Sequence, residues 1–254
     1  MIKAVTFDFW NTLFVDRAAP DRELLRAQVL AAELLELGCR VDETRLSAAL
    51  THGFDYFDRV WRDEHRTPDA AEILDAQLLE LGVTMPPDVR ERVIERFAGL
   101  VLELPPDEVP GASRIVAELA ASYQLAVICD TGYSPGRVLR ELLRAHGMLD
   151  WFEYAYFSNE GGASKPSRHA FQSALERLDV RPPEAVHVGD MQRTDIAGAH
   201  DAGMWAIHFI GVNDYDALRS TADAVIGSLE ELPEAVGDLM CPGCGLPRRR
   251  IRPS

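Results

Sequence analysis

The stretch Ala4-Val5-Thr6-Phe7-Asp8-Phe9-Trp10-Asn11-Thr12-Leu13 runs from a short apolar segment into an acid and then a turn. An apolar run this short reads as a buried strand over residues 2–8, delivering Asp8 at its carboxyl end. Far along the chain Ala185-Val186-His187-Val188-Gly189-Asp190 repeats the pattern, and Asp195 follows five residues later. Between the two lies Lys165, one of only two lysines beside 24 arginines. A chain that writes Arg at ordinary surface positions uses Lys where a compact, flexible point charge is wanted. Strand-borne carboxylates with one lysine make a site for an anion held on a divalent cation.

Outward from the first strand the rhythm changes twice. Over about 20–102, apolar residues recur at helical spacing: Leu24, Leu25, Val29, Leu30 and Leu34; Ile73, Leu78 and Leu79; Val89, Val93, Ile94 and Phe97. Breaks fall at Gly38, Thr67-Pro68 and Met85-Pro86-Pro87, and the proline-rich segment 104–111 reads as a linker. Beyond it, strands expected near 124–129, 154–158, 184–188, 204–210 and 223–226 alternate with helices. That alternation predicts an α/β fold, a doubly wound parallel sheet covered by helices on both faces. The first strand must join this sheet, so residues 15–105 become an all-helical insert between core segments 1–14 and 106–238. Ligands of such sheets bind at the carboxyl ends of the strands, where the acids stand.

The formal net charge of −15 argues against nucleic acid as the main partner. No apolar run reaches membrane-spanning length, and the start of the chain lacks signal-peptide character, so the expected location is cytoplasmic. Residues 239–254 form a distinct basic tail with Cys241-Pro242-Gly243-Cys244, half of a zinc knuckle. Two tails sharing a zinc ion across a dimer, a partner supplying ligands, and a tail with free thiols are the open alternatives.

These motifs resemble the haloacid dehalogenase (HAD) superfamily, most of whose members are Mg2+-dependent phosphatases. The resemblance covers about residues 2–238 and implies a Rossmann-like core with a helical cap. It places the nucleophile on Asp8 and a phosphate-contacting hydroxyl on Thr12, and it implies hydrolysis of a small phosphate ester through an aspartyl-phosphate. A turn through Asn11 would offer backbone N–H groups to the phosphoryl group. Lys165 would neutralise Asp8 and that group. The metal set is then Asp8, Asp190, Asp195 and the backbone carbonyl of Trp10. At the end of the strand 124–129, where the family places Ser or Thr, stands Cys129-Asp130-Thr131. Cys129 holds the expected position but is a weak donor, or a small core residue, and Thr131 is the better donor.

One position departs from the pattern. Family phosphatases carry a second aspartate, the general acid and base, where this chain has Trp10, and indole can play neither part. A good leaving group, another acid (Asp16, Asp130 or a cap histidine) or a weakly catalytic binding role would each accommodate the change. Metal-free 2-haloacid dehalogenases of the superfamily carry an aromatic residue there, which gives an alternative reading with Asp8 as nucleophile. Their lack of the acidic ligand at Asp190 opposes it. In the insert, Phe54, Phe57 and Trp61 are expected to pack the cap's own core. His52, Tyr56, Arg59 and Asp63 form another face, which either looks down on the aspartates or is simply solvated.

Overall fold

A computed structural model describes residues 1–239. The tail with Cys241 and Cys244 lies outside the described residues. After β1 (Ala4–Phe7) and β2 (Phe14–Val15) come four helices, α1 (Ala19–Glu36), α2 (Glu43–Asp63), α3 (Ala70–Leu81) and α4 (Pro87–Glu103). β3 (Asp107–Glu108) and α5 (Ala112–Ala120) return the chain to β4 (Gln124–Cys129), followed by α6 (Gly136–Ala145) and β5 (Tyr154–Phe157). Then follow α7 (Ser158–Gly161), α8 (Arg168–Leu178), β6 (Ala185–Gly189), α9 (Ala197–Asp201), β7 (Trp205–Phe209), β8 (Ala224–Ile226) and α10 (Leu232–Asp238).

Six strands form one parallel sheet in the order β5-β4-β1-β6-β7-β8. β1 is fully buried, and its alternate side chains feed two separate cores. Val5 and Phe7 join an apolar layer with α5, α6 and α10, while Ala4 lies opposite with α8 and α9. Burial on both faces explains why these strands are continuous apolar runs rather than alternating ones. The helices α1–α4 enclose a core of their own, with Leu30, Leu34, Leu74, Leu78, Val93 and Phe97 buried in it. Where the chain leaves and re-enters the sheet domain, β2 and β3 pair antiparallel, Phe14 opposite Glu108 and Val15 opposite Asp107. Arg22, buried on α1, binds both crossings at once. It donates to Asp16 and, at 2.5 Å, to the carbonyl of Leu104. None of the described helices is long and apolar enough to cross a membrane.

Candidate active site

The strand order sets β1 between β4 and β6, with Phe7 in register with Val127 on one side and Val188 on the other. The next residues therefore bring Asp8, Asp130 and Asp190 together at the carboxyl edge of the sheet, and all three line one cavity of about 520 Å³. Asp8 is buried and pairs with Lys165, which is itself 2% exposed. Lys165 Nζ also donates to Asp195 Oδ1 at 2.6 Å. Burial by itself would lower the lysine's pKa, but Asp195, Asp8 and Asp130 outweigh it and hold the ammonium well above its ordinary value.

Asp195 is fixed from every side. Its Oδ1 accepts from Lys165 and lies 3.2 Å from His187 Nε2; its Oδ2 accepts from Met191 N at 3.0 Å and Thr194 Oγ1 at 3.1 Å. The helix expected over 192–202 opens with a π-turn, Gln192–Ile196, before α9 begins. Such turns are frequent at functional sites, and this one carries the buried Asp195. Gly189 makes room for the result: a Cβ there would lie 2.4 Å from Asp195 Cγ. Behind Asp195, Thr6 Oγ1 sits 2.8 Å from His187 Nδ1. Burial lowers the His187 pKa, so a neutral imidazole with Thr6 donating to Nδ1 and Nε2–H donating to Asp195 satisfies every group. Despite its burial Asp195 is held below the ordinary carboxylate range, chiefly by Lys165 and then His187.

Asp190 accepts from Asn213 Nδ2 at 3.1 Å, with the Asn11 side chain also against it, and its backbone carbonyl lies 2.8 Å from His208 Nε2. Burial, then the Asp195 carboxylate, pushes its pKa to about 6. Asp8 is also pushed well above its ordinary value, by burial foremost and by Asp195 and Asp190 beyond that. Asp8, Asp190 and Asp195 present oxygens within 4.8 Å of one another, all buried. Three crowded carboxylates facing one ammonium are short of positive charge. A hard divalent cation among them fits the donor set and would hold Asp8 and Asp190 ionised.

The phosphate-contact candidates divide. Thr12 is buried and donates to Asp8 Oδ2 at 3.5 Å. Asn11 has a positive φ of 57°, a conformation Asn tolerates, and lines the cavity beside Asp190. Cys129 lies in the apolar core below the sheet edge, outside the cavity wall, and burial pushes its thiol pKa up. Thr131 borders the cavity, but its hydroxyl lies 3.0 Å from Ser158 Oγ and accepts from Asn159 N at 3.2 Å. Asp130 accepts from Lys165 N at 2.9 Å and from Trp61 Nε1, on α2, at 2.8 Å.

That last bond belongs to a correction in the helical layer. Phe54, Phe57 and Trp61 do not fill the layer's core; they line the cavity over the aspartates, and Phe54 is 67% exposed. The second face takes the solvated alternative: His52 Nδ1 lies 3.8 Å from Glu80, and Tyr56 bonds Glu72 at 3.4 Å. The cause is the seam between α2 and α3, where the buried residues of α2 are the small Ala49, Gly53 and Val60. A Cβ on Gly53 would stand 2.8 Å from Gln77 Cγ, so close approach claims the small side and turns the aromatics outward to the site. No histidine lines the cavity among the described residues, while Asp16 does. Asn213 and His187, which hold Asp190 and Asp195, carry no motif signal; a strand-interior His beside a Gly-Asp terminus was the available hint for the second.

Comparison with known proteins gives these features a lineage. The glyceraldehyde 3-phosphate phosphatase of Pyrococcus furiosus is 34% identical over 134 residues, which is 51% of this chain and 54% of that protein. The chain thus matches about half of that relative's length. Ribulose-1,5-bisphosphate 5-phosphatase of Halopiger xanaduensis is 29% identical over 93% of this chain and 100% of its own. Among solved structures, a HAD phosphatase from Thermococcus onnurineus superposes with a TM-score of 0.64 at 25% identity, covering 93% of this chain and 98% of that one. A 2-haloacid dehalogenase from Pseudomonas syringae pv. Tomato DC3000 gives 0.59 at 26% identity, over 94% and 99%. The sequence profile of the haloacid dehalogenase-like hydrolases matches residues 2–203, and the chain belongs to that family.

Proposed function

We propose that this protein is a Mg2+-dependent phosphatase that hydrolyses a small phosphate ester through an aspartyl-phosphate on Asp8. The observation that carries the reading is the buried trio Asp8, Asp190 and Asp195, whose oxygens lie within 4.8 Å, with Lys165 set between Asp8 and Asp195. Asp8, Asp190 and the Trp10 carbonyl would hold the cation, and Asp195 would serve through water or by orienting its neighbours. When bound, Mg2+ neutralises phosphoryl charge and keeps the carboxylates ionised.

The remaining work falls to the chain's own groups. Lys165 holds the Asp8 carboxylate in place and balances charge on the transferring group. Attack by Asp8 forms a P–O bond to its carboxylate oxygen and breaks the ester P–O bond. Water then displaces Asp8 from phosphorus, releasing inorganic phosphate. Thr12 stands beside Asp8 Oδ2 and would donate to the phosphoryl group in turn. Trp10 gives the leaving oxygen no proton, a loss of about 10²- to 10⁴-fold for an ester that needs one.

A second reading draws on Trp10 and on the likeness to the Pseudomonas dehalogenase: metal-free displacement of halide from a 2-haloacid by Asp8. Asp190 opposes it, since a carboxylate there repels Asp8 unless a cation intervenes. Hydrolysis of an activated aryl phosphate with Mg2+ and with chelator, alongside halide release from a 2-haloacid, separates the two. Phosphate release lost to chelator supports the proposal. Halide release indifferent to chelator replaces it, and silence in both assays points to a weakly catalytic binding protein.

A further inference from the structure

We infer that the ester taken by this site is an aryl phosphate, its ring held between Trp10 and the aromatic face of α2. The inference rests on the phosphatase reading above and adds the class of substrate. A cavity of about 520 Å³ holds far more than a phosphoryl group. What surrounds the extra space is largely apolar, with three rings in the wall: Trp10, set edge-on to Phe9 at 4.9 Å, and Phe57 and Trp61, stacked at 6.3 Å and 27°.

Most of the polar wall groups above the aspartates are already engaged. Arg22 is bound to Asp16 and the Leu104 carbonyl, Ser134 donates to the Ala98 carbonyl at 3.2 Å, and Tyr133 accepts from Gln77 at 2.9 Å. Both oxygens of Asp130 accept N–H donors. A polyol chain would bury hydroxyls against partners that are taken, at a cost that an aromatic ring avoids. One acceptor does stay open: Asp16 Oδ1, buried without a hydrogen-bond partner. It suits a ring substituent that carries an O–H or N–H.

The chemistry converges on the same class. With indole at Trp10, no histidine in the described wall, Asp16 paired with Arg22 and both Asp130 oxygens accepting N–H donors, the wall holds no acid set to protonate the leaving oxygen, which departs with its electron pair. A phenol ionises near pKa ~10, so phenolate leaves as an anion and takes its proton from solvent, whereas an aliphatic alkoxide is far more basic.

The test compares kcat/KM, with Mg2+, for phenyl phosphate, 1-naphthyl phosphate, glyceraldehyde 3-phosphate and acetyl phosphate. Acetyl phosphate has a good leaving group and no ring, so it reports on the phosphatase reading alone. The expected result is a preference of about 10²-fold or more for the aryl esters over glyceraldehyde 3-phosphate. Phe57→Ala should lower the naphthyl-to-acetyl ratio about tenfold, a ratio that does not depend on the fraction of folded enzyme. Acetyl phosphate turnover with no aryl preference, or an unmoved ratio in Phe57→Ala, overturns the inference and spares the phosphatase reading. Failure of every ester with Mg2+ overturns both.

Discussion

The floor of the cavity and its roof are made of opposite materials and held by opposite means. On the floor, charges sit at or just beyond the ends of adjacent parallel strands, held by hydrogen bonds; Asp195 alone contacts four groups. The roof is an aromatic face of one helix, tied to the floor by the bond from Trp61 to Asp130 and by Arg193, stacked 4.2 Å from the Trp61 ring centroid. Fixed charges suit a step whose charge distribution is always the same, whereas an apolar roof selects what is attached to the phosphate. On the proposed reading the chemistry would belong to the sheet edge and the choice of substrate to α2.

The largest effect should come from the centre of the floor. Asp8→Asn is expected to lower turnover on the order of 10⁴-fold or more while the circular dichroism spectrum stays native; wild-type rates would remove the nucleophile. Asp190→Asn should cost about 10²- to 10³-fold and abolish the response to Mg2+. The same variant should melt higher than wild type in chelator at pH 7, because a crowded carboxylate has gone.

The pH dependence of stability sharpens the floor further. A carboxyl raised from 3.8 to about 6 binds its proton more tightly in the folded state, so metal-free stability should fall as pH rises from about 4 to 6. The size is about 3 kcal/mol if Asp190 acts alone, at about 1.36 kcal/mol per unit. Asp195 is shifted the other way, and its contribution is lost only below its ordinary value of 3.8. Mg2+ should restore the lost stability at pH 7 and do little at pH 4.5, which melting curves with and without the ion would reveal. A flat profile would mean that the carboxylates are not in conflict.

Trp10→Asp joins the two regions, since it adds an acid where the roof's ring partner stood. It should raise turnover of alkyl phosphates about 10- to 10²-fold and narrow the preference for aryl esters. No gain would place proton delivery elsewhere. Trp61→Phe, the mildest change, keeps the ring and removes the donor to Asp130. It should cost about 1.5 kcal/mol in melting experiments; no cost would mean that this bond does not help to hold the roof on the floor.

Much of the floor was legible beforehand because buried parallel strands are continuous apolar runs and their terminal acids stand out. Asp8, Lys165, Asp190 and Asp195 do meet, as the strand-end positions of Asp8 and Asp190 and the family resemblance implied. The roof was not legible in the same way. Helical periodicity places Phe54, Phe57 and Trp61 on one face but does not say which face meets the neighbouring helix. Gly53 and Ala49 decided it, and small residues give no signal in a hydrophobic pattern. Likewise β2 and β3, two residues each, are below the length at which alternation can be read. Asn213 reaches Asp190 from a loop after β7, where neither periodicity nor motif applied.

Rapid-quench analysis of an aryl phosphate reaction in Mg2+ tests the central claim most directly. The account predicts a burst of free phenol stoichiometric with enzyme, with the phosphoryl group recovered on the peptide that carries Asp8. Steady phosphate release with no burst and no modified Asp8, or an Asp8 ester formed only from a 2-haloacid, would contradict it.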